Sequence, residues 1–156
     1  MMEWNRSEIL ALAAHNCTRC HGVGSSIGKR GKTVTCTCVH RAVFRACHDR
    51  FRRCAEKEKA LTKCTLDLPS GNTRRYSWGR KDEEYIADFC LVSRRYLDPE
   101  EYRVFRFHYL LGADWKLCTR QLKIDKGEFF HMLYRIQQRL GRVFRELKPF
   151  ALYPLD

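Results

Sequence analysis

The sequence has no long apolar run and comparatively few acidic residues. None of its uncharged apolar segments approaches the ~18 residues that a membrane-spanning helix requires, so we expect no membrane partner. Its first fifteen residues mix charged and apolar side chains, whereas a signal peptide has a basic start and a clean apolar core. The 156 residues include 18 Asp and Glu against 30 Lys and Arg, a formal charge of +12. This excess favours a polyanionic partner, with nucleic acid as the first candidate.

Prolines are also scarce, and all four lie between or before the segments with helical periodicity. Proline inside a helix removes a hydrogen bond and clashes with the preceding turn, so this placement is typical of a helical protein. The apolar share of 44% is normal for a folded chain and too high for a disordered one. We therefore predict a mainly α fold.

The chain divides by composition into three regions. Residues 1–64 are predicted to form a zinc-binding module followed by a basic helix. Residues 65–80 are predicted to be a connector, in which 65–68 and 75–78 could pair as a small hairpin. Residues 81–156 are predicted to form a helical domain. The connector is the expected domain boundary.

The basic helix of the first region has one apolar face. Val43, Cys47 and Phe51 recur every four residues, which is one side of a helix, and Cys54 extends it. Basic residues are interspersed along this helix. Three of them are predicted to contact nucleic acid: Arg41, Arg45 and Arg52. The alternative is that the helix docks on the C-terminal domain by its Val43, Cys47 and Phe51 face.

Nine cysteines are present, and a fully disulfide-paired secreted domain would not have an odd number. In the absence of an export signal we expect a reducing compartment, and hence free thiols or a metal. Cys17 and Cys20 form one close pair, and Cys36 and Cys38 form a second beyond a Gly-rich loop. Zn²⁺ prefers four thiolate or imidazole ligands in a tetrahedron. We predict that these four cysteines bind one structural Zn²⁺.

The ligand set has alternatives because one residue between Cys36 and Cys38 is a less common spacing. His21 and His40 flank the two pairs and could replace a thiolate, and Cys47 is a reserve ligand. The other cysteines in helical patterns are predicted to be small core residues.

The first cysteine pair resembles half of a DnaJ-type zinc repeat, since Cys17-x-x-Cys20 is followed by Gly22 and Gly24. The other half is absent because no glycines follow Cys38. A similar cysteine-rich pattern occurs in phage Q-type antiterminators. The resemblance implies a zinc knuckle or ribbon and by itself names no function.

The last long helix is predicted from about Lys126 and has two distinct faces. At about 100° per residue, its apolar side chains from Phe129 to Leu147 fall on one side. Asp125 followed by Glu128 is typical of a capped helix start. His, Arg and Gln are side chains that contact base edges and phosphates in a major groove. With Lys126, the predicted nucleic-acid contacts are His131, Arg135, Gln138, Arg142 and Arg145. A solvated basic face of a helical bundle is the alternative.

The C-terminal part of the chain resembles region four of bacterial sigma factors and related sigma-like phage regulators. The matching residues are Leu97-Asp-Pro99-Glu100, Val104, Gly112, Leu122-Lys-Ile124, Asp125-Lys-Gly127-Glu-Phe129, Leu133-Tyr-Arg135 and Leu140. The match runs without gaps over 97–147, about a third of the chain. It implies a helix-turn-helix DNA-binding module that also touches RNA polymerase.

The chain departs from this family at several positions. Residues 117–119 are Leu-Cys-Thr where the family carries Glu-Ile-Ala, and Tyr102 stands where an Arg is usual. Nothing resembles the sigma region that melts promoter DNA. The resemblance therefore does not imply a complete sigma factor.

An active site is not predicted. The acid clusters at 82–84 and 98–101 fall where helix starts are expected, so helix capping explains them more simply than catalysis. No phosphate-binding Gly loop is present. We therefore expect no enzymatic activity and no small-molecule substrate.

Taken together, the sequence predicts a mainly α protein with a small N-terminal zinc knuckle or ribbon, a basic helix and a C-terminal helix-turn-helix bundle. The expected function is a cytoplasmic, nucleoid-associated DNA-binding transcription regulator of bacterial or phage type. Double-stranded DNA is the expected partner, with RNA polymerase as a further candidate. The alternative is an RNA-binding or RNA-polymerase-bound antiterminator-like factor.

Overall fold

Helices dominate the computed structural model, which describes residues 4–67, 73–147 and 152; the side chains of 59–81 are not among those described. This confirms the prediction of a mainly α fold. The elements in chain order are α1 (Arg6–Leu12), β1 (Ser25–Ile27), β2 (Thr33–Thr35), α2 (Thr37–Asp67), α3 (Thr73–Tyr96), α4 (Pro99–Phe105), a π-helical turn (Arg106–Leu110), α5 (Trp115–Leu122) and α6 (Lys126–Glu146).

The predicted connector is largely helical. α2 continues through Asp67 and α3 begins at Thr73, so the predicted hairpin between 65–68 and 75–78 is wrong where the chain is described. Residues 68–72 lie outside the described residues. An isolated two-stranded hairpin is marginal in water, whereas extending an existing helix adds one hydrogen bond for each residue fixed. The early start of α3 also places Asp82 well inside a helix and not at its beginning.

Short polar caps fix the starts of the last three helices. The carboxylates of Asp98, Asp114 and Asp125 accept hydrogen bonds from the backbone N–H three residues later, at 2.8, 2.8 and 2.7 Å. These contacts satisfy donors that a helix start leaves unpaired. The π-helical turn ends near Gly112, whose φ of +75° favours glycine. The predicted boundaries of α4 and α6 are therefore confirmed near their N-termini.

One large core joins α2 to the helices that follow it. The predicted apolar face of α2 is buried, and Phe51 stacks on Phe89 of α3 with 4.6 Å between ring centroids. Phe89 in turn lies 5.2 Å from Phe144 of α6. This core therefore draws on both sides of the predicted connector, and the division into two domains stays a prediction.

α2 and α6 approach each other closely where Gly141 meets His40. A Cβ atom at Gly141 would overlap the backbone carbonyl of His40, so only glycine fits this contact. A second, smaller core lies at the N-terminal end of α2. It consists of buried Ala13, Cys20, Cys36, Cys38 and Val39.

Candidate metal centre and nucleic-acid interface

The first cysteine pair lies on a tight turn after α1. The backbone N–H of His21 donates to the Cys17 carbonyl at 2.9 Å, and that of Val23 donates to the Cys20 carbonyl at 3.0 Å. Gly24 follows with φ of +81°, and a Cβ there would collide with Ile9 of α1. The glycine therefore allows the turn that carries both thiols to pack directly against α1.

The second pair is returned to the first by a hairpin. β1 and β2 are antiparallel, with Ser25 opposite Thr35, and the N–H of Cys36 donates to the Gly24 carbonyl at 2.8 Å. Cys38 lies in the first turn of α2.

The four thiols converge on one point. The Sγ atoms of Cys17 and Cys36 are 3.7 Å apart, and those of Cys20 and Cys38 are 3.6 Å apart. All four Sγ atoms lie within 4.8 Å of one another. A tetrahedral ion with Zn–S bonds of about 2.3 Å would separate its sulfurs by about 3.8 Å. The structure thus confirms that these four cysteines form a cluster able to hold a metal ion.

The cluster has an uneven electrostatic environment. Backbone N–H groups of Cys20 and Arg19 point at Cys17 and lower the pKa of its thiol to about 6. Burial raises the pKa of the Cys38 thiol to about 12. Four neighbouring thiols cannot all ionise without a compensating cation, and a divalent metal provides that charge.

The alternative ligands lie outside this cluster. His21 is exposed with a left-handed φ of +53°, and the imidazole of His40 packs edge-on against Trp4 at 5.7 Å. Cys47 is fully buried in the large core. Cys54 and Cys118 are buried there as well, as predicted for small core residues.

Most of the predicted contact residues on α6 are accessible. Lys126, His131, Arg135 and Arg142 are exposed, and Gln138 is half-buried. His131 and Arg135 line a shallow cavity that also has Glu100 and Glu128 on its wall. The lysine Nζ of Lys126 lies 4.7 Å from the ring centre of Trp115 on α5. The N-terminal part of α6 therefore carries mixed charge, and beyond it Arg139 pairs with Glu101 and Arg142 pairs with Glu146.

Arg41 connects α2 to the exposed face of α6. Its Nε donates to the side-chain carbonyl of Gln137 at 2.9 Å, and its guanidinium lies 4.3 Å from the ring centre of Tyr134. The amide of Gln137 donates in turn to the hydroxyl of Tyr109 at 2.7 Å. These contacts fix the Arg41 side chain beside α6.

Arg45 and Arg52 are exposed on the same side of α2 as Arg41, within about 40° at 100° per residue. The basic side of α2 thus adjoins, at Arg41, the face of α6 that carries Tyr134 and Gln137. The sequence analysis missed Tyr134, which is 46% exposed and contacts Arg41, and Phe130, which is 38% exposed one turn earlier on α6. An exposed aromatic between basic residues was the available signal.

Arg145 does not lie on this surface, and its predicted contact with nucleic acid is wrong. The side chain is 4% exposed and makes two hydrogen bonds to the carboxylate of Glu8, at 2.8 and 2.9 Å. Its guanidinium also lies 4.8 Å from the ring centre of Trp4. The segment at and before α1 covers this end of α6, which the periodicity of α6 alone could not show.

No protein-family model, curated protein or solved structure matches this chain. Within the described residues, no helix is both long enough and apolar enough to cross a membrane.

Proposed function

We propose that the protein is a DNA-binding transcription regulator of bacterial or phage type, with a structural Zn²⁺ held by Cys17, Cys20, Cys36 and Cys38. The proposal rests chiefly on the junction at Arg41, where the basic side of α2 adjoins the exposed face of α6. A surface assembled from two helices offers more phosphate contacts than one helix does, and phosphate contacts position a protein on a duplex.

The metal is proposed to be structural zinc for two reasons. Four thiolates favour Zn²⁺ over hard cations such as Mg²⁺ or Ca²⁺, which take oxygen ligands. Four protein ligands also leave no open coordination position, and a catalytic zinc keeps one for water or substrate. The ion would link the turn after α1, the hairpin and the start of α2.

The pair α5–α6 is proposed to act as the helix-turn-helix, with α6 entering the major groove. Three residues, 123–125, separate the two helices, which suits this motif. Lys123 takes a left-handed conformation with φ of +55°, and Asp125 caps α6. Lys126, His131, Arg135, Gln138 and Arg142 would follow the groove, while Arg41, Arg45 and Arg52 would contact phosphates.

The metal is tested on the purified protein by inductively coupled plasma mass spectrometry. We expect about one zinc per chain. A folded protein without metal, or one that binds iron in an iron–sulfur cluster, would contradict the zinc site. Neither result would test DNA binding, which has a separate assay.

DNA binding is tested by selection from a random-sequence duplex library, followed by fluorescence anisotropy on the enriched duplex. Arg135→Ala is expected to weaken binding by roughly 1–3 kcal/mol if Arg135 contacts a base. Arg94→Ala is the control, because Arg94 is also an exposed arginine and lies on α3. Equal affinity for both variants would remove Arg135 from the interface.

The same assay distinguishes other partners. Single-stranded RNA and RNA polymerase replace the duplex in two further arms. Stronger binding to either one, with no enrichment from the duplex library, would favour the antiterminator-like alternative and overturn the proposal.

A further inference from the structure

The tip of the β1–β2 hairpin forms a second basic surface, separate from that of α6. Lys29, Arg30 and Lys32 are all exposed, and no ion pair engages them within the described chain. Residues 9–48 contain no Asp or Glu at all. The segment that carries the four cysteines and the hairpin therefore has positive charge with no acidic residue of its own to offset it.

The turn geometry places two of these side chains at the apex. The N–H of Gly31 donates to the Gly28 carbonyl at 3.0 Å, which makes Lys29 and Arg30 the two central residues of a β-turn. Gly31 follows with φ of +71°, and the N–H of Gly28 donates to the Lys32 carbonyl at 2.8 Å. A glycine with positive φ after such a turn is a common hairpin connection.

The tip also has open space beside it. Apart from Gly31 and its two chain neighbours, no atom lies within 4 Å of the position that a Cβ on Gly31 would occupy. At its base the hairpin is tied to Gly24 and to the cysteine cluster. The charges are therefore held on a short anchored projection, so binding loses less conformational entropy than it would with a free loop.

A short segment of chain joins the hairpin to the part of α2 that contacts α6. α2 begins two residues after β2, and Arg41, which contacts Tyr134 of α6, lies about 6 Å along the helix axis from Thr37 at 1.5 Å per residue. The extended strand from Thr35 to Lys32 spans about 10 Å. With the link through Cys36, these segments limit the distance from Lys32 to Arg41 to roughly 23 Å, about twice the ~12 Å width of a major groove.

The composition of the hairpin distinguishes between nucleic-acid ligands. Residues 25–35 include no aromatic side chain. Proteins that bind single strands stack bases on aromatic rings, whereas contacts to duplex phosphates need only positive charge and hydrogen-bond donors. The chemistry of this tip therefore fits duplex phosphates.

We infer that the hairpin tip binds the phosphate backbone of duplex DNA through Lys29, Arg30 and Lys32, beside the groove that α6 occupies. This inference rests on the proposed function and adds to it a contact site on the metal-binding module. The metal cluster then has a role in recognition, because it fixes the hairpin relative to α2.

The test compares salt dependence for random-sequence duplex DNA. A triple variant, Lys29→Gln with Arg30→Gln and Lys32→Gln, is measured beside the unaltered protein by fluorescence anisotropy. Each phosphate contact contributes about 0.9 to the slope of log affinity against log salt, so the slope should fall by about 2 to 3. The ratio of the two affinities should then shrink about 40-fold between 50 and 200 mM salt.

A charge-matched control removes three exposed positive charges elsewhere, with Lys57→Gln, Arg94→Gln and Arg95→Gln. Its slope should stay within about 1 of the unaltered protein. If the unaltered protein binds duplex and the hairpin variant keeps its slope, only this inference fails. If the unaltered protein does not bind duplex, this inference and the proposed function both fail. If the hairpin variant loses affinity for single-stranded RNA and keeps its affinity for duplex DNA, the inference is overturned in favour of RNA.

Lysine footprinting on the unaltered protein makes the test independent of how the variant folds. Acetylation read by mass spectrometry should show Lys29 and Lys32 protected by duplex DNA. Lys57 is the internal reference, since it is exposed about 160° around α2 from Arg41. Equal reactivity of Lys29 and Lys32 with and without DNA would overturn the inference.

Discussion

The two cores of this protein differ in the size of the side chains that form them. In the described residues, the small core is formed by Ala13, Val39 and three buried cysteines, and none of these is larger than valine. The large core contains Phe44, Phe89, Phe105, Phe129 and Phe144, all at most 1% exposed. Burial of apolar area stabilises a fold in proportion to that area, at roughly 25 cal/mol per Å². Packing alone can therefore stabilise the large core, whereas the small core buries little apolar area and would gain most from a metal ion held by its cysteines.

The largest expected effect follows from removing one thiol of the small core. Cys20→Ala should abolish stoichiometric metal binding, because three thiolates hold a structural ion much less tightly than four and the site contributes roughly 10–16 kcal/mol on binding. Metal content after gel filtration measures this. Cys47→Ala, a similarly buried cysteine in the large core, is the control and should retain about one metal per chain. Equal metal loss from both variants would contradict the distinction between the two cores.

A smaller effect is expected from truncating the large core. Phe89→Ala should lower the free energy of unfolding by about 3–5 kcal/mol, since it leaves a cavity among Phe51, Phe105 and Phe144. Denaturant unfolding followed by circular dichroism measures it. Leu91→Ala on the same helix is the control because Leu91 is 65% exposed, and it should stay within about 0.5 kcal/mol. A loss of metal together with stability would show that the cores are not independent.

The smallest expected effect concerns the ion pair that links the N-terminal segment to α6. Glu8→Gln removes the carboxylate charge that lies against the buried Arg145 guanidinium, at a cost of about 2–3 kcal/mol in unfolding free energy, because the two side chains are 20% and 5% exposed.

Glu146→Gln is the control for that ion pair. It breaks the exposed pair with Arg142, whose closest atoms are 3.5 Å apart, and should change stability by less than about 1 kcal/mol. Equal effects in thermal or denaturant unfolding would show that burial does not distinguish the two pairs.

The metal-capable cluster could be predicted from the sequence because its information is local. Cys17 and Cys20 lie on one turn, and the short hairpin returns Cys36 and Cys38 to the vicinity of that turn. The alternatives at His21, His40 and Cys47 could not be excluded in the same way. Their exclusion depends on where α1 and the large core lie.

The accessible face of α6 could also be predicted in part. Helical periodicity correctly separated buried Phe129, Leu133 and Ile136 from exposed His131 and Arg135. Periodicity describes one helix in isolation, however, and it placed Arg145 on the wrong side. The predicted hairpin in the connector is wrong for a related reason. Turn-forming residues indicate a local turn, but they do not show that two long helices continue up to it.

The sequence by itself determined the positive charge, the helical character, the four convergent thiols and the amphipathic pattern of α6, because each depends on composition or on residues close along the chain. Only the tertiary structure decided that Arg41 lies on Tyr134, that Glu8 neutralises Arg145, and that α2 and α3 share one core with α6. These contacts join residues far apart in sequence, and their partners are selected by packing geometry, which no local pattern encodes.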